Sequence, residues 1–307
     1  MWKLVGGIFL GWGLGSNDFA NIFGTSVGAG LVRYRTAIIL CAVFLFIGAL
    51  LEGPKCMDTV GKLSQLSDTT AFVCTLSAAI VISILTYFAL PASICQAIVG
   101  AILGASIITG TTDFTILYQI IICWILTPLG ALVFSIALYK MFGYMFNFFL
   151  ADIYRRRAVV TAGVIVAGCY GAYTFGANNV ANVTGAYAGS SMLTPFMAAV
   201  AGGLSMALGV LTYSYKVMET VGKKVVPLDA FSAFVATMAN ALTLHVFTQV
   251  GVPVSSTQAI VGAVVGVGLI KDYRTVSLRM ITAIGMGWVF TPLSAGLLSY
   301  SIIRLLL

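Results

Sequence analysis

Ten apolar runs, separated by connections too short to fold by themselves, make up most of this chain. Eight lie near 4–31, 36–53, 69–90, 114–139, 158–175, 194–213, 229–250 and 279–305, and each approaches the roughly 20 apolar residues that a helix needs to cross a bilayer. Two shorter runs, 91–109 and 254–270, open at a proline (Pro91, Pro253) and carry polar residues at their start. Each is expected to be the return arm of a re-entrant helical hairpin. Lipid offers the backbone no hydrogen-bond partners, and the alternation of barrel strands is absent, so an all-α, polytopic transmembrane helical bundle is expected. A chain that is 60% hydrophobic and 8% charged, with mean hydropathy +1.05, would not stay in water as a soluble domain. No polar stretch exceeds about twenty residues, which leaves no room for a nucleotide-binding domain and makes an ion gradient the expected driving force. Met1-Trp2-Lys3 and the run behind it have the look of a signal peptide, but that run carries a motif found again later, so it is expected in the mature protein.

The chain repeats itself. Gly15-Ser16-Asn17-Asp18-Phe19-Ala20-Asn21 matches Gly176-Ala177-Asn178-Asn179-Val180-Ala181-Asn182 at an offset of 161, and Met57-Asp58-Thr59-Val60-Gly61-Lys62 matches Met218-Glu219-Thr220-Val221-Gly222-Lys223 at the same offset. Pro91 to Gly100 matches Pro253 to Gly262 at an offset of 162, and Thr127-Pro128-Leu129 matches Thr291-Pro292-Leu293 at 164. Residues 1–150 and 151–307 therefore read as two repeats of one transmembrane transport unit. If each crosses an odd number of times, the copies are inverted, and equivalent loops should differ in charge. Arg33 and Arg35 do correspond to an uncharged connection near Leu193 and Thr194, and Asp113 corresponds to a connection carrying Lys271, Arg274 and Arg279. With both termini extracytoplasmic, twelve of the 16 Lys and Arg fall in cytoplasmic connections, Arg155-Arg156-Arg157 among them. That is a positive-inside pattern, and it explains the net charge of +7 without nucleic acid.

Inverted repeats with interrupted helices are the architecture of secondary transporters, whose sites form where the breaks meet. Four breaks are expected here: the two Gly-x-Asn motifs and the two hairpin tips. A helix beginning at each proline aims free N–H groups and a positive dipole end at whatever lies between the halves, which favours an anion. Ser93 in one tip, and Ser255, Ser256 and Thr257 in the other, add hydroxyl donors suited to a tetrahedral oxyanion. Asn17, Asp18, Asn21, Gln96, Asn178, Asn179, Asn182 and Gln258 offer the hard oxygens that small cations prefer. A carboxylate such as Asp18 inside a span costs about 2.5 to 3.5 kcal/mol on insertion scales, and a bound cation would offset that. Cation and anion should then bind in mutual dependence.

These paired motifs resemble the inorganic phosphate transporter family, which also contains the mammalian retroviral-receptor phosphate carriers. The resemblance spans nearly the whole chain. It implies a symporter of inorganic phosphate in the cell membrane, driven by sodium in some members and by protons in others, with sulfate carried by a related branch and no further cofactor. By position, Asn17, Asp18, Asn21 and Thr25 match the first signature, while Asn178, Asn182 and Thr184 lie in the second, which adds Thr25 and Thr184 to the expected phosphate ligands. The family usually has Asp in both signatures; here residue 179 is Asn. The long cytoplasmic loop of animal members is missing, which implies a minimal, prokaryotic version.

Other readings stay open at this stage. Water and solute channels also pair half-helices with Asn at their tips, but Asp18 and the Ser255-Ser256-Thr257 run favour an ion-coupled carrier. No His-carboxylate or Cys-His cluster suggests an enzyme. The six cysteines form no CxxC pair and read as packing residues. His245, the only histidine, is expected to be packed and hydrogen-bonded. Glu52, whose counterpart is Tyr213, pairs with Lys55 or gates the site. A homodimer is compatible with the sequence.

Overall fold

The computed structural model describes residues 2–28, 30–87, 92–149, 152–222, 228–271 and 278–306. Pro91, the side chain of Thr25 and most of the basic connections at 216–224 and 274–279 lie outside the described residues or side chains. Eleven α-helices run among the described residues: α1 (Val5–Phe19), α2 (Thr25–Gly28), α3 (Tyr34–Lys62), α4 (Asp68–Tyr87), α5 (Ile94–Thr109), α6 (Phe114–Phe149), α7 (Ile153–Gly189), α8 (Pro195–Gly222), α9 (Ala230–Val250), α10 (Ser256–Lys271) and α11 (Leu278–Leu306). Seven are long and apolar enough to cross a membrane: α3, α4, α6, α7, α8, α9 and α11. Their outward faces carry large apolar side chains, among them Ile125 and Val133 on α6 and Leu293 and Leu297 on α11. Such faces suit lipid.

The two arms expected to be short are short. α5 and α10 have 16 residues each, about 24 Å at 1.5 Å per residue, against a hydrocarbon core of about 30 Å. Each folds back on the helix before it, α5 on α4 and α10 on α9. At the open end of the second hairpin Asp229 caps α9 by accepting from Ser232 N at 2.8 Å and pairs with Lys271 at the end of α10. Burial alone would lift the Asp229 carboxyl; the Lys271 ammonium and the Ser232 N–H outweigh it and hold the group below the usual carboxylate range. A depressed carboxylate pKa stabilises the fold above the unfolded value of about 3.9 and loses that contribution as pH falls through the folded one. The clamp is therefore fully formed at neutral pH.

The packing repeats with the sequence. α1 lies on α8 and α7 on α3; α5 lies on α11 and α10 on α6; α4 touches α1 as α9 touches α7. Exchanging the halves carries each contact onto its counterpart. The glycines show why the match extends to single residues. A Cβ on Gly15 would run into the main chain of Met206, and one on Gly176 into that of Leu45. Those two contacts are one contact shifted by 161 residues. Gly100 against Pro292 and Gly262 against Pro128 form a second such pair. Small residues let membrane helices approach to backbone contact, where dispersion replaces the missing hydrophobic drive.

One expectation is corrected. The first Gly-x-Asn motif does sit at an interruption, since Ala20–Gly24 turns as a π-helix between α1 and α2, a geometry that loosens the regular ladder and is common at functional sites. The second motif does not. Residues 176–182 lie inside α7, which is continuous over 37 residues.

Gly15→Ala and Gly176→Ala should each lower the thermal unfolding midpoint in detergent, the overpacking costing about 1–3 kcal/mol or more. Gly13→Ala, where an added Cβ meets nothing within 4 Å, should not. Equal midpoints for Gly15→Ala and Gly13→Ala would refute the close-approach account.

Candidate functional site

The second hairpin turns at Gly251, whose φ of 82° is the left-handed conformation that glycine adopts without strain. Between Val252 N, which still donates to the Phe247 carbonyl of α9, and the Ser255 carbonyl, which accepts from Ala259 N of α10, the backbone has no helix to satisfy it, so other elements must. Asn178 of α7, fully buried, does most of this. Its Nδ2 donates to the Val252 carbonyl at 3.2 Å and to Thr248 Oγ1 at 3.1 Å, and its Oδ1 accepts from Val254 N at 2.8 Å. Thr59 of α3 donates to the Gly251 carbonyl at 2.6 Å. A tip held from two sides presents the start of α10 in one fixed direction.

The two tips are built alike. Ser255 Oγ accepts from Gln258 N at 3.3 Å and Ser93 Oγ accepts from Gln96 N at 3.5 Å, so each hydroxyl caps its own helix. A capping hydroxyl accepts and keeps its proton free to donate elsewhere. The tips also meet: the Cys95 thiol donates to the Pro253 carbonyl at 3.2 Å. Helix starts from both halves therefore converge, each with first-turn N–H groups that the helix itself cannot satisfy.

The first signature reaches this place from α1. Ser256 Oγ donates to Asp18 Oδ2, and Asn21 Nδ2 lies 3.5 Å from Thr257 Oγ1. Asp18, Ser255 and Ser256 are at most 5% exposed, while Asn17, Asn21 and Thr257 are half-buried. Asn182 Nδ2 donates to Asn179 Oδ1 at 3.1 Å, one turn apart on α7. Several buried polar atoms have no partner among the described residues: Gln96 Oε1, Asn179 Nδ2, Asn182 Oδ1 and both amide atoms of Gln258. Such atoms are costly in a low-dielectric interior, and here they cluster by sequence with the groups just described. They suit a polar ligand.

Two expected ligands are employed otherwise. Asn178 spends both ends of its amide on the tip, which makes it a support for the site. Thr184 donates towards the carbonyls of Val180 and Ala198, at 3.2 and 2.8 Å, and so ties α7 to α8. One residue was not anticipated. Asn240 of α9 is fully buried with neither amide atom partnered among the described residues; the signal was a lone carboxamide in an apolar run. Glu52 does lie 3.5 Å from Lys55, but it also accepts from Gln249 Nε2 at 2.9 Å and sits 3.5 Å from His245 Nε2. His245 Nδ1 in turn meets Tyr170 OH at 2.6 Å. The group stitches α3, α7 and α9 together beside the second tip.

Two clefts of the described surface, about 430 and 330 Å³, are lined by Gly61, Ser64, Thr111 and Asp113 in one case and by Leu126, Val133 and Val246 in the other. Neither reaches Asp18 or the tips.

A buried carboxylate and carboxamides thus lie beside two hydroxyl-bearing helix starts. In comparison with known proteins, residues 14–299 match the model of the phosphate transporter family. The chain belongs to that family. It is thus a multi-pass membrane protein of a transporter family and not an enzyme. A protein of Methanocaldococcus jannaschii described as a candidate phosphate permease is 28% identical over 304 residues, covering 99% of this chain and 97% of that one. One of Pyrococcus abyssi, described likewise, is 27% identical over 397 residues, covering 99% and 96%. The solved structure titled "The sodium-dependent phosphate transporter" superposes on all of both chains with a TM-score of 0.90 at 22% identity. Its fold is the fold described here.

Asn178→Ala would strand a buried N–H and a buried carbonyl, at about 1–3 kcal/mol for each unsatisfied group. Amide exchange at 252–255 should accelerate in that variant while exchange in α5 stays slow. Unchanged protection at 252–255 would mean that the tip does not depend on Asn178.

Proposed function

We propose that this chain is a sodium-coupled symporter of inorganic phosphate, acting across the cell membrane by alternating access between two inverted repeats, 1–150 and 151–307, with both termini extracytoplasmic. The observation that carries the proposal is the meeting of Asp18 with Ser256: the acidic signature of one half touches the hydroxyl-rich tip of the other. Phosphate is held by Ser93, Ser255 and Thr257 and by the first N–H groups of α5 and α10, joined by Ser256 once a cation on Asp18 releases its hydroxyl. Oxygens of Asn17, Asp18, Asn21, Gln96 and Gln258 take the cation. Asn178 positions the tip, and Asn182 braces Asn179.

The coupling is electrostatic. A phosphate brought beside Asp18 adds like charge in a medium that screens poorly, and a cation on Asp18 removes the conflict. Each ion therefore raises the affinity for the other by the same factor. Alternating access requires parts of the molecule to move relative to one another, as in secondary transporters built from repeats. Hard oxygen donors, a single buried carboxylate in the cluster and a histidine engaged elsewhere support sodium over a proton relay. The fold shared with a protein titled as sodium-dependent points the same way.

In proteoliposomes, phosphate uptake should be saturable, concentrative and abolished when the sodium gradient is collapsed; uptake that only equilibrates would favour a channel. Asp18→Asn should abolish the sodium-driven component while the protein still elutes as a folded species, and wild-type uptake in that variant would remove Asp18 from the mechanism. Thr257→Ala should weaken apparent phosphate affinity roughly 10- to 150-fold, a hydrogen bond to a charged group being worth about 1.5 to 3 kcal/mol. If only the sodium dependence moved, the assignment of that tip would be reversed.

A further inference from the structure

The repeat produces two sets of polar groups at equivalent positions, and the sets are chemically unequal. In the first, Asp18 and Asn21 reach across to Ser256 and Thr257 on the other half's tip. The offsets equate Asp18 with Asn179, Asn21 with Asn182, Ser256 with Ile94 and Thr257 with Cys95. At the second position the carboxylate has become a neutral amide, one hydroxyl has become a buried isoleucine, and the other has become a thiol directed at the Pro253 carbonyl. The elements still meet, since α5 packs on α7 as α10 packs on the π segment. Their side chains do not reach across in the same way. Asn179 and Asn182 bond to each other inside an unbroken helix, whereas Asp18 stands just before the π segment that opens at Ala20.

These changes act together on one property. A small monovalent cation entering a dry site gives up its water, and carboxamide oxygens return dipoles but no charge. A carboxylate returns the charge as well, and it needs the cation to be tolerable there. Replacing Asp by Asn also turns an acceptor into a donor. The unpartnered group left on Asn179 is Nδ2, which suits an oxyanion and repels a cation.

We propose that this chain keeps one carboxylate-based coupling-cation site, at Asp18, and has lost its counterpart at Asn179. It therefore moves one cation fewer per phosphate than a site with a carboxylate in each half. The inference rests on the cation-coupled symport proposed above.

Two measurements test it. In proteoliposomes clamped at zero voltage, the logarithm of the phosphate accumulation ratio plotted against the logarithm of the imposed sodium ratio has a slope equal to the sodium ions carried per phosphate. The double variant Asn179→Asp with Ile94→Ser should raise that slope by one over wild type; an unchanged slope in a transporting double variant overturns the inference. Independently, thermal unfolding in detergent without phosphate should shift upward with sodium chloride, relative to choline chloride, in the wild type and not at all in Asp18→Asn. A sodium shift retained in Asp18→Asn would put a cation in the second half and overturn the inference, as would no sodium shift in the wild type. If wild-type protein accumulated no phosphate on any sodium gradient, the symport reading would be what failed.

Discussion

Ser256 donates to Asp18 across the boundary between the halves, and that contact joins two things a membrane interior tolerates poorly: a carboxylate and the open end of a helix. Each explains the other. The positive end of α10 and its hydroxyls lower the cost of the carboxylate, and the carboxylate gives the helix start a partner. The short second hairpin exists to bring that helix start inward, and Asn178 and Thr59 exist, structurally, to keep the tip from collapsing onto itself. Helices α3, α7, α1 and α8 form the frame in which this is done, held by backbone contacts at Gly15 and Gly176 that no larger residue permits.

Much of this was legible in the sequence because the repeat is nearly in register. An offset of 161 that carries Gly15 onto Gly176 also carries Leu45 onto Met206, so either glycine contact implies its twin, although the spacing alone does not say which helices pair. The hairpin tips were legible in part: the helices were expected to begin at Pro91 and Pro253, whereas α5 and α10 begin three residues later, at Ile94 and Ser256, behind the caps Ser93 and Ser255. What the sequence did not reveal is where a helix actually breaks. Gly-x-Asn motifs look the same at 15–21 and 176–182, yet only the first adjoins a π segment; whether a glycine loosens a helix depends on what packs beside it. Nor does a sequence say how a polar group is used. Asn178 and Thr184 share a signature with Asn179 and Asn182, but the first splints a hairpin tip and the second ties α7 to α8. Asn240 lay in plain view as an amide among apolar residues, without a repeat partner to draw notice.

The two halves divide the work unequally. One contributes the charged signature and a tip with a single hydroxyl; the other contributes an all-amide signature and the hydroxyl-rich tip. The acidic and hydroxyl functions stand on opposite sides of one interface. In the proposed carrier, the loaded site then needs groups from both halves at once.

The central claim is that cation and phosphate occupy one electrostatically linked site at the Asp18–Ser256 contact. The direct measurement is the equilibrium affinity for phosphate in purified protein as sodium is titrated, paired with the affinity for sodium as phosphate is titrated. The account predicts that each ion tightens the other by the same factor. Phosphate affinity independent of sodium would contradict it.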